Sequence, residues 1–488
     1  MLEKSSDVFS RGLAKMKPRD YKSVMDRRAE IMRASVGIDY SKYSLGRLAF
    51  DYEKMMEETG YSIQEVKKIQ KETNVGNTPL IELKNLTALV RRLSEPGYGA
   101  RIFVKDEANN PARSFKDRRA SLSVFHAKRK GYPGVVAATS GNYGAAVASQ
   151  AARSNLGCII VQEMFDSKGF EQPEIAEKGR ACEAYGAEVL QLSVGPELFY
   201  MFLLVLEETG YFNASLYTPF SIAGIETLGT EIVEQIRELA GKDPDYIIST
   251  HAGGGITTGT ARGVLKAKSP NTKIIGASVN LQGLHMASDR DFNRKSFTTG
   301  HTGFGIPFAV WPDRSDVPRN AARVLRYLDG YVTVTQGSVF YITEALAQLE
   351  GLERGPAGNT SLTAAFSIAR SLPEDNIVVV NETEYTGAGK HPYAQLNFAR
   401  KMGVEIKRGN PKEEVPGKNI VIPEKPEQII CTEVSLEKLR ESYVKHACSS
   451  LGEDKKVSEV DVNFLAEDSR LQREEVLRLL EKNGVKVE

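Results

Sequence analysis

"GVVAATSGNYGAAVASQAARS", Gly134 to Ser154, decides the fold. "GVVAAT" is a short, almost wholly apolar run, as a buried strand requires. "SGN" then breaks the run with turn residues, and "YGAAVASQAARS" continues in small, helix-favouring ones. Strand, tight turn and helix follow one another without a spacer. The same alternation recurs outward from this point. "NTPLIEL" and "RIFVKDE" precede it as strands, and "GCIIVQ", "AEVLQL", "YIIST", "KIIGASV" and "NIVVVN" follow. Helical stretches such as "DRRASLSVFHAKRK" and "TLGTEIVEQIRELA" separate them. Strands alternating with helices specify an α/β fold with a largely parallel sheet.

The chain of 488 residues has room for one large or two to three ordinary domains. Its 41% hydrophobic and 26% charged residues are ordinary for a globular protein, and its formal net charge of +1 disfavours a nucleic-acid binder. Residues 1–75 read as a charged, helical N-terminal extension. Residues 76–408 hold the α/β core, with a smaller mobile subdomain at roughly 115–225. Residues 409–488 begin with a Pro- and Lys/Glu-rich linker and end in a small appendage with amphipathic helices such as "LQREEVLRLLEKNG". The N-terminus lacks the apolar core of a secretory signal, and "FYMFLLVL" (199–206) is too short to span a bilayer, so a cytoplasmic protein is expected. Cys158, Cys182, Cys431 and Cys448 form no CxxC pair, and the six histidines show no metal spacing, so no metal site is expected.

Three loops carry candidate chemistry. In "NPARSFKDRR" (110–119), Ser114 and Asp117 have the spacing of a helix-start capping box, which places Lys116 in the first helical turn. The positive end of the helix dipole and the neighbours Arg113, Arg118 and Arg119 disfavour a protonated lysine there, with Asp117 opposing. A lysine able to lose its proton is a nucleophile or Schiff-base former; a solvated basic face is the structural alternative. In "ATSGNYGAA" (138–146), N–H groups at a helix start and the Ser140 hydroxyl suit a carboxylate, and Asn142 suits a ring hydroxyl. An ordinary strand–turn–helix joint would look the same. In "STHAGGGITTGTARG" (249–263), three consecutive glycines lead into a Thr-rich helix start, a cradle for phosphate. It is not a Walker loop, and Thr258 stands where GxGxxG needs its last glycine.

"SFKDR", "SGNYG" and "GGGITTG", in that order and preceded by "NTPL", resemble the tryptophan synthase β and threonine synthase superfamily, the fold-type II pyridoxal 5′-phosphate (PLP) enzymes, from about Asn77 to Ala399. The resemblance implies two open, twisted, mostly parallel-sheet α/β domains with the cofactor between them. It implies that Lys116 forms the Schiff base and is the catalytic proton shuttle. Asn142 would contact the ring oxygen, Ala252, Gly253, Gly254, Gly255 and Ile256 would bind the phosphate, and Ser140, Gly141 and Tyr143 would hold the substrate carboxylate. Thr383 would face the pyridine nitrogen, with Glu382 and Glu384 as alternatives.

The helical preface and the appendage resemble a PLP-dependent thiolase branch of that family. This implies an acyltransferase of ornithine degradation, which uses coenzyme A to cleave a 2-amino-4-oxo acid to acetyl-CoA and alanine. It also implies a small α-subunit partner and dimerisation through the core. A PLP-dependent β-eliminating or β-replacing enzyme and a PLP-binding regulatory subunit are the alternatives. Of the histidines without metal spacing, such as His251, His301 and His391, His251 and His391 stand where they could reach the site, although a packing role is the more common one for each, and Trp311 lies in a plausible site loop. The four cysteines fit as small buried hydrophobes, which favours direct attack by coenzyme A.

Overall fold

Every strand named from the sequence forms, because each is a short apolar run bounded by turn residues. The computed structural model describes residues 17–139, 141–165, 169–171, 173–193, 197–281, 296–298, 317, 319–385 and 392–488. Ser140, His301, Trp311 and His391 lie outside them. In chain order the core strands are β1 (Leu80–Glu82), β2 (Arg101–Asp106), β3 (Gly134–Thr139), β4 (Gly157–Phe165), β5 (Glu188–Ser193), β6 (Phe212–Asn213), β7 (Tyr246–Thr250), β8 (Lys273–Val279), β9 (Gly330–Val334) and β10 (Ile377–Glu382). β11 (Glu405–Gly409), β12 (Asn419–Pro423) and β13 (Thr432–Glu433) follow.

Two sheets result. The larger has the order β1-β2-β10-β7-β8-β9-β13, parallel except for its two edge strands. The smaller is wholly parallel, in the order β5-β4-β3-β6. Strands β2, β3, β7 and β10 are buried over nearly their whole length, which accounts for their continuous apolar runs. The stretch read as a linker carries β12, which pairs in parallel with β11 through buried Ile420 and Val421. Its proline-rich flanks hid this short apolar strand.

Five helices frame the site: α1 (Lys116–Arg129), α2 (Asn142–Ser154), α3 (Pro219–Ala240), α4 (Gly255–Lys266) and α5 (Pro356–Ala369). The segment "FYMFLLVL" lies in the helix Glu197–Thr209, with Leu198, Phe202, Leu203 and Leu206 buried against β3 and β4.

The two terminal regions pack on each other. Leu48 and Ala49 N–H groups donate to Asp461, each at 2.8 Å. Tyr52 lies beneath the guanidinium of Arg323, which pairs with the fully buried Asp468. Arg326 and Tyr443 bond the same carboxylate and, with Arg323, hold it well below the usual carboxylate range. The appendage is therefore a built layer on the core, joined by apolar contacts through Tyr443, Val462 and Leu465.

Candidate active site

Adjacent parallel strands bring the predicted residues together. β2, β10 and β7 are neighbours, so the segments leaving their C-terminal ends emerge on one edge of the large sheet. β2 leads toward Lys116, β10 into Thr383 and Glu384, and β7 into the glycine loop. The Phe115 N–H donates to the Thr383 carbonyl at 3.0 Å, and Ser114 forms an isolated bridge with Glu384. The Lys116 turn is thereby pinned to the chain leaving β10. The smaller sheet contributes through β3, whose C-terminal end opens into Gly141 and α2. Asn142 Nδ2 donates to Glu384 Oε2 at 3.2 Å across the gap between the two sheets. Asn142 Oδ1 is buried and has no partner among the described residues.

Lys116 is the first residue of α1 and is half-buried, with Nζ 4.0 Å from the centre of the Phe115 ring. The expected capping box is absent: among the described residues no side chain caps this helix, and Ser114 Oγ is buried without a partner. The reason lies in Asp117. Its carboxylate turns back to accept from the Ala112 N–H at 2.8 Å and from Gln150 at 3.4 Å. Burial pushes this carboxyl up to about 7.

The three arginines near Lys116 have three different fates. Arg113 is exposed, over the ring of Tyr385. Arg118 is fully buried and paired with Glu107 and Glu231, each at 2.7 Å. Its charge is met by these two carboxylates. Arg119 is buried and packs beside Phe115 and Tyr217. Three residues after Lys116, it shares that residue's helix face.

The glycine loop has no space for side chains. A Cβ on Gly253 would lie 1.6 Å from the Tyr217 hydroxyl, and one on Gly255 would lie 1.7 Å from Arg119 Nη2. Gly254 caps α4 with φ of 78°, a left-handed conformation that favours glycine. Ala252 and Ile256 flank the three glycines, and Ile256 lies in the first turn of α4. The α4 helix start carries free N–H groups and no side-chain cap. Thr257 Oγ1 in this first turn is buried without a partner. Uncapped N–H groups, an orphaned hydroxyl and an excluded Cβ at each glycine fit a phosphate. Together with the lysine on that edge and Asn142 facing it from the smaller sheet, they fit PLP.

Tyr143 is oriented differently from its expected role. Its side chain is buried, and its hydroxyl donates to the Ala214 carbonyl at 2.5 Å. Only its backbone N–H, in the first turn of α2, faces the role the sequence suggested. Thr383 is buried at the end of β10. The Glu382 carboxylate packs against Gly358 in the first turn of α5, where a Cβ would lie 1.8 Å from Oε1. His251 is fully buried, edge-on to Tyr331, and burial lowers it to about 4, so it is neutral near pH 7. From the sequence Arg119 was read only as a neighbour that disfavours a protonated Lys116, and Thr257 was not named. The i, i+3 spacing from Lys116 was a usable signal for the arginine.

A family model described as "Pyridoxal-phosphate dependent enzyme" matches residues 71–383. A 2-amino-4-ketopentanoate thiolase beta subunit from an unknown prokaryotic organism is 65% identical over 471 residues, 96% of this chain and 100% of that protein. The protein of the same name from Acetoanaerobium sticklandii is 63% identical over 458 residues, 94% of this chain and 97% of its own. A solved O-ureido-L-serine synthase aligns with a TM-score of 0.49 at 22% identity, over 65% of this chain and 91% of that one. The lysine turn, the Asn142 loop and the glycine cradle all fall within the matched span, and the chain belongs to the pyridoxal-phosphate dependent enzymes of fold type II.

Proposed function

We propose that this chain is the β subunit of a 2-amino-4-ketopentanoate thiolase. It cleaves 2-amino-4-oxopentanoate with coenzyme A to acetyl-CoA and alanine, a step of ornithine degradation. The observation that carries this reading is near end-to-end likeness, at 65% and 63% identity, to two proteins of that name. A smaller α subunit completes the enzyme. The chain works in the cytoplasm, its core pairs with a second copy, and the subdomain at roughly 115–225 closes on substrate against the rest of the 76–408 core.

PLP, when bound, supplies an electron sink for bonds at the substrate's α and β carbons. Lys116 lies at the uncapped start of α1, beside the two loops, and serves as the base and acid that moves the α-proton. N–H groups of Gly141 and Tyr143, with Ser140, hold the substrate carboxylate at the start of α2. Asn142 reaches the ring oxygen, Thr383 faces the ring nitrogen, and Ala252 to Ile256 hold the phosphate.

The sulfur of coenzyme A forms a bond to the γ-carbonyl carbon, and the bond between the β and γ carbons breaks. The thiol proton balances the new C–H bond of alanine. The attacking thiol is the coenzyme's own. Burial raises all four cysteine thiols above their ordinary value, Cys182 to about 12, so none is poised as a thiolate.

The test is to incubate the purified chain, with and without the α subunit, with 2-amino-4-oxopentanoate and coenzyme A. Acetyl-CoA and alanine should form in equal amounts. If neither forms in either case while hydroxy- or diamino-acids are turned over, the enzyme is an eliminating or replacing lyase. A spectral change across many amino acids with no turnover would make it a regulatory PLP binder.

A further inference from the structure

Arg119 is the one arginine beside Lys116 that is buried without an acid. It is 2% exposed, and no carboxylate among the described residues forms an ion pair with it. Its Nη1 donates to the Leu216 carbonyl at 2.9 Å, and Nε is buried without a partner among the described residues. Burial lowers the group to about 10, which still leaves it charged at neutral pH. Its remaining surroundings are the rings of Phe115 and Tyr217, 5.5 and 5.9 Å from Cζ to ring centre.

The guanidinium also sits where a cation is electrostatically disfavoured. Nη2 abuts Gly255, the first residue of the twelve-residue α4, at the positive end of that helix. A buried cation without a counter-charge, set against a helix N-terminus with open N–H groups and the orphaned Thr257 hydroxyl, calls for an anion of more than one charge.

We propose that Arg119 is a phosphate-binding residue. Its guanidinium and the N–H groups at the start of α4 converge on the phosphate of the cofactor, so the cradle is cationic and not built of neutral donors alone. The inference rests on the cofactor reading above and goes beyond it by adding a residue outside the glycine loop. Arg119 therefore ties α1, which carries the lysine, to the phosphate end of the cofactor.

The test uses the full chain stripped of cofactor and compares its affinity for PLP with that for pyridoxal, which lacks the phosphate. Arg119→Gln should weaken PLP binding by about 10- to 100-fold and leave pyridoxal binding nearly unchanged. Arg119→Lys, which keeps a point charge, should fall between. A variant that binds both compounds like the wild type, or loses both equally, overturns the proposal. Coenzyme A in excess should not compete with PLP uptake; competition would reassign the arginine to that ligand and overturn it too. Should Arg119→Gln fail to fold, a crystal structure of the PLP-loaded wild type decides. A guanidinium nitrogen within about 3.2 Å of a phosphate oxygen is expected, and one held beyond hydrogen-bond reach contradicts the proposal. A wild type that takes up no PLP overturns the cofactor reading and this inference together, whereas uptake insensitive to Arg119 overturns only this one.

Discussion

The two sides of α1 handle buried charge in opposite ways. Behind the helix, Arg118 and Lys105 meet Glu107 and Glu231, so two cations face two carboxylates. Thr78 and Asn110 donate further hydrogen bonds to Glu107, at 2.6 and 2.9 Å. The cluster is closed and holds Glu231 well below the usual carboxylate range. In front, Arg119 and the start of α4 are both positive, and among the described residues no acid pairs with the buried Arg119. The closed cluster supports the fold, and the open one is built to receive an anion. One position along α1 separates the arginine of the closed cluster from the arginine of the open one.

The largest expected effect is on the front side. Lys116→Ala should lower turnover by more than about a thousandfold and give a colourless protein. Its urea midpoint should stay close to that of the cofactor-free wild type. A variant that keeps its colour and activity would break the assignment.

On the back side, Glu107→Gln should cost about 3 kcal/mol of stability, because it leaves a buried guanidinium short of a counter-charge. Urea unfolding measures this. Protein that remains folded should still bind PLP, which would sharpen the division between the two sides. A variant as stable as the wild type would erase that division.

Asp117, at the boundary between the two sides, gives a pH-dependent effect. Burial raises its carboxyl to about 7, above the unfolded value near 4. The folded state therefore holds the proton more tightly. Through this group stability is greatest at low pH and falls as pH rises from about 4 to about 7, by at most about 1.4 kcal/mol per pH unit. Asp117→Asn should remove that decline. Urea midpoints of the cofactor-free protein at pH 5 and pH 7 test this, and identical pH dependence in variant and wild type would contradict it.

The contrast also explains what was legible in the sequence. The strands stood out because runs such as "GVVAAT" and "NIVVVN" are apolar on both faces and bounded by turn residues. β12 and β13 did not, being short and set among Pro, Lys and Glu. The three loops were found because glycine and lysine at strand–helix joints have few other uses. The fate of each arginine was hidden, since Arg118 meets Glu231 across 113 residues of chain and no local pattern records it. The capping spacing misled for a similar reason: Gln150, from α2, helps draw the Asp117 carboxylate away from Ser114.

The central claim is that Lys116 is the residue that bonds the cofactor. The most direct measurement is borohydride reduction of the PLP-loaded chain, followed by proteolysis and mass mapping of the phosphopyridoxyl label. Label on the peptide carrying Lys116, and its loss in Lys116→Ala, is the predicted result. Label on another lysine, or a wild type that retains none, would contradict the account.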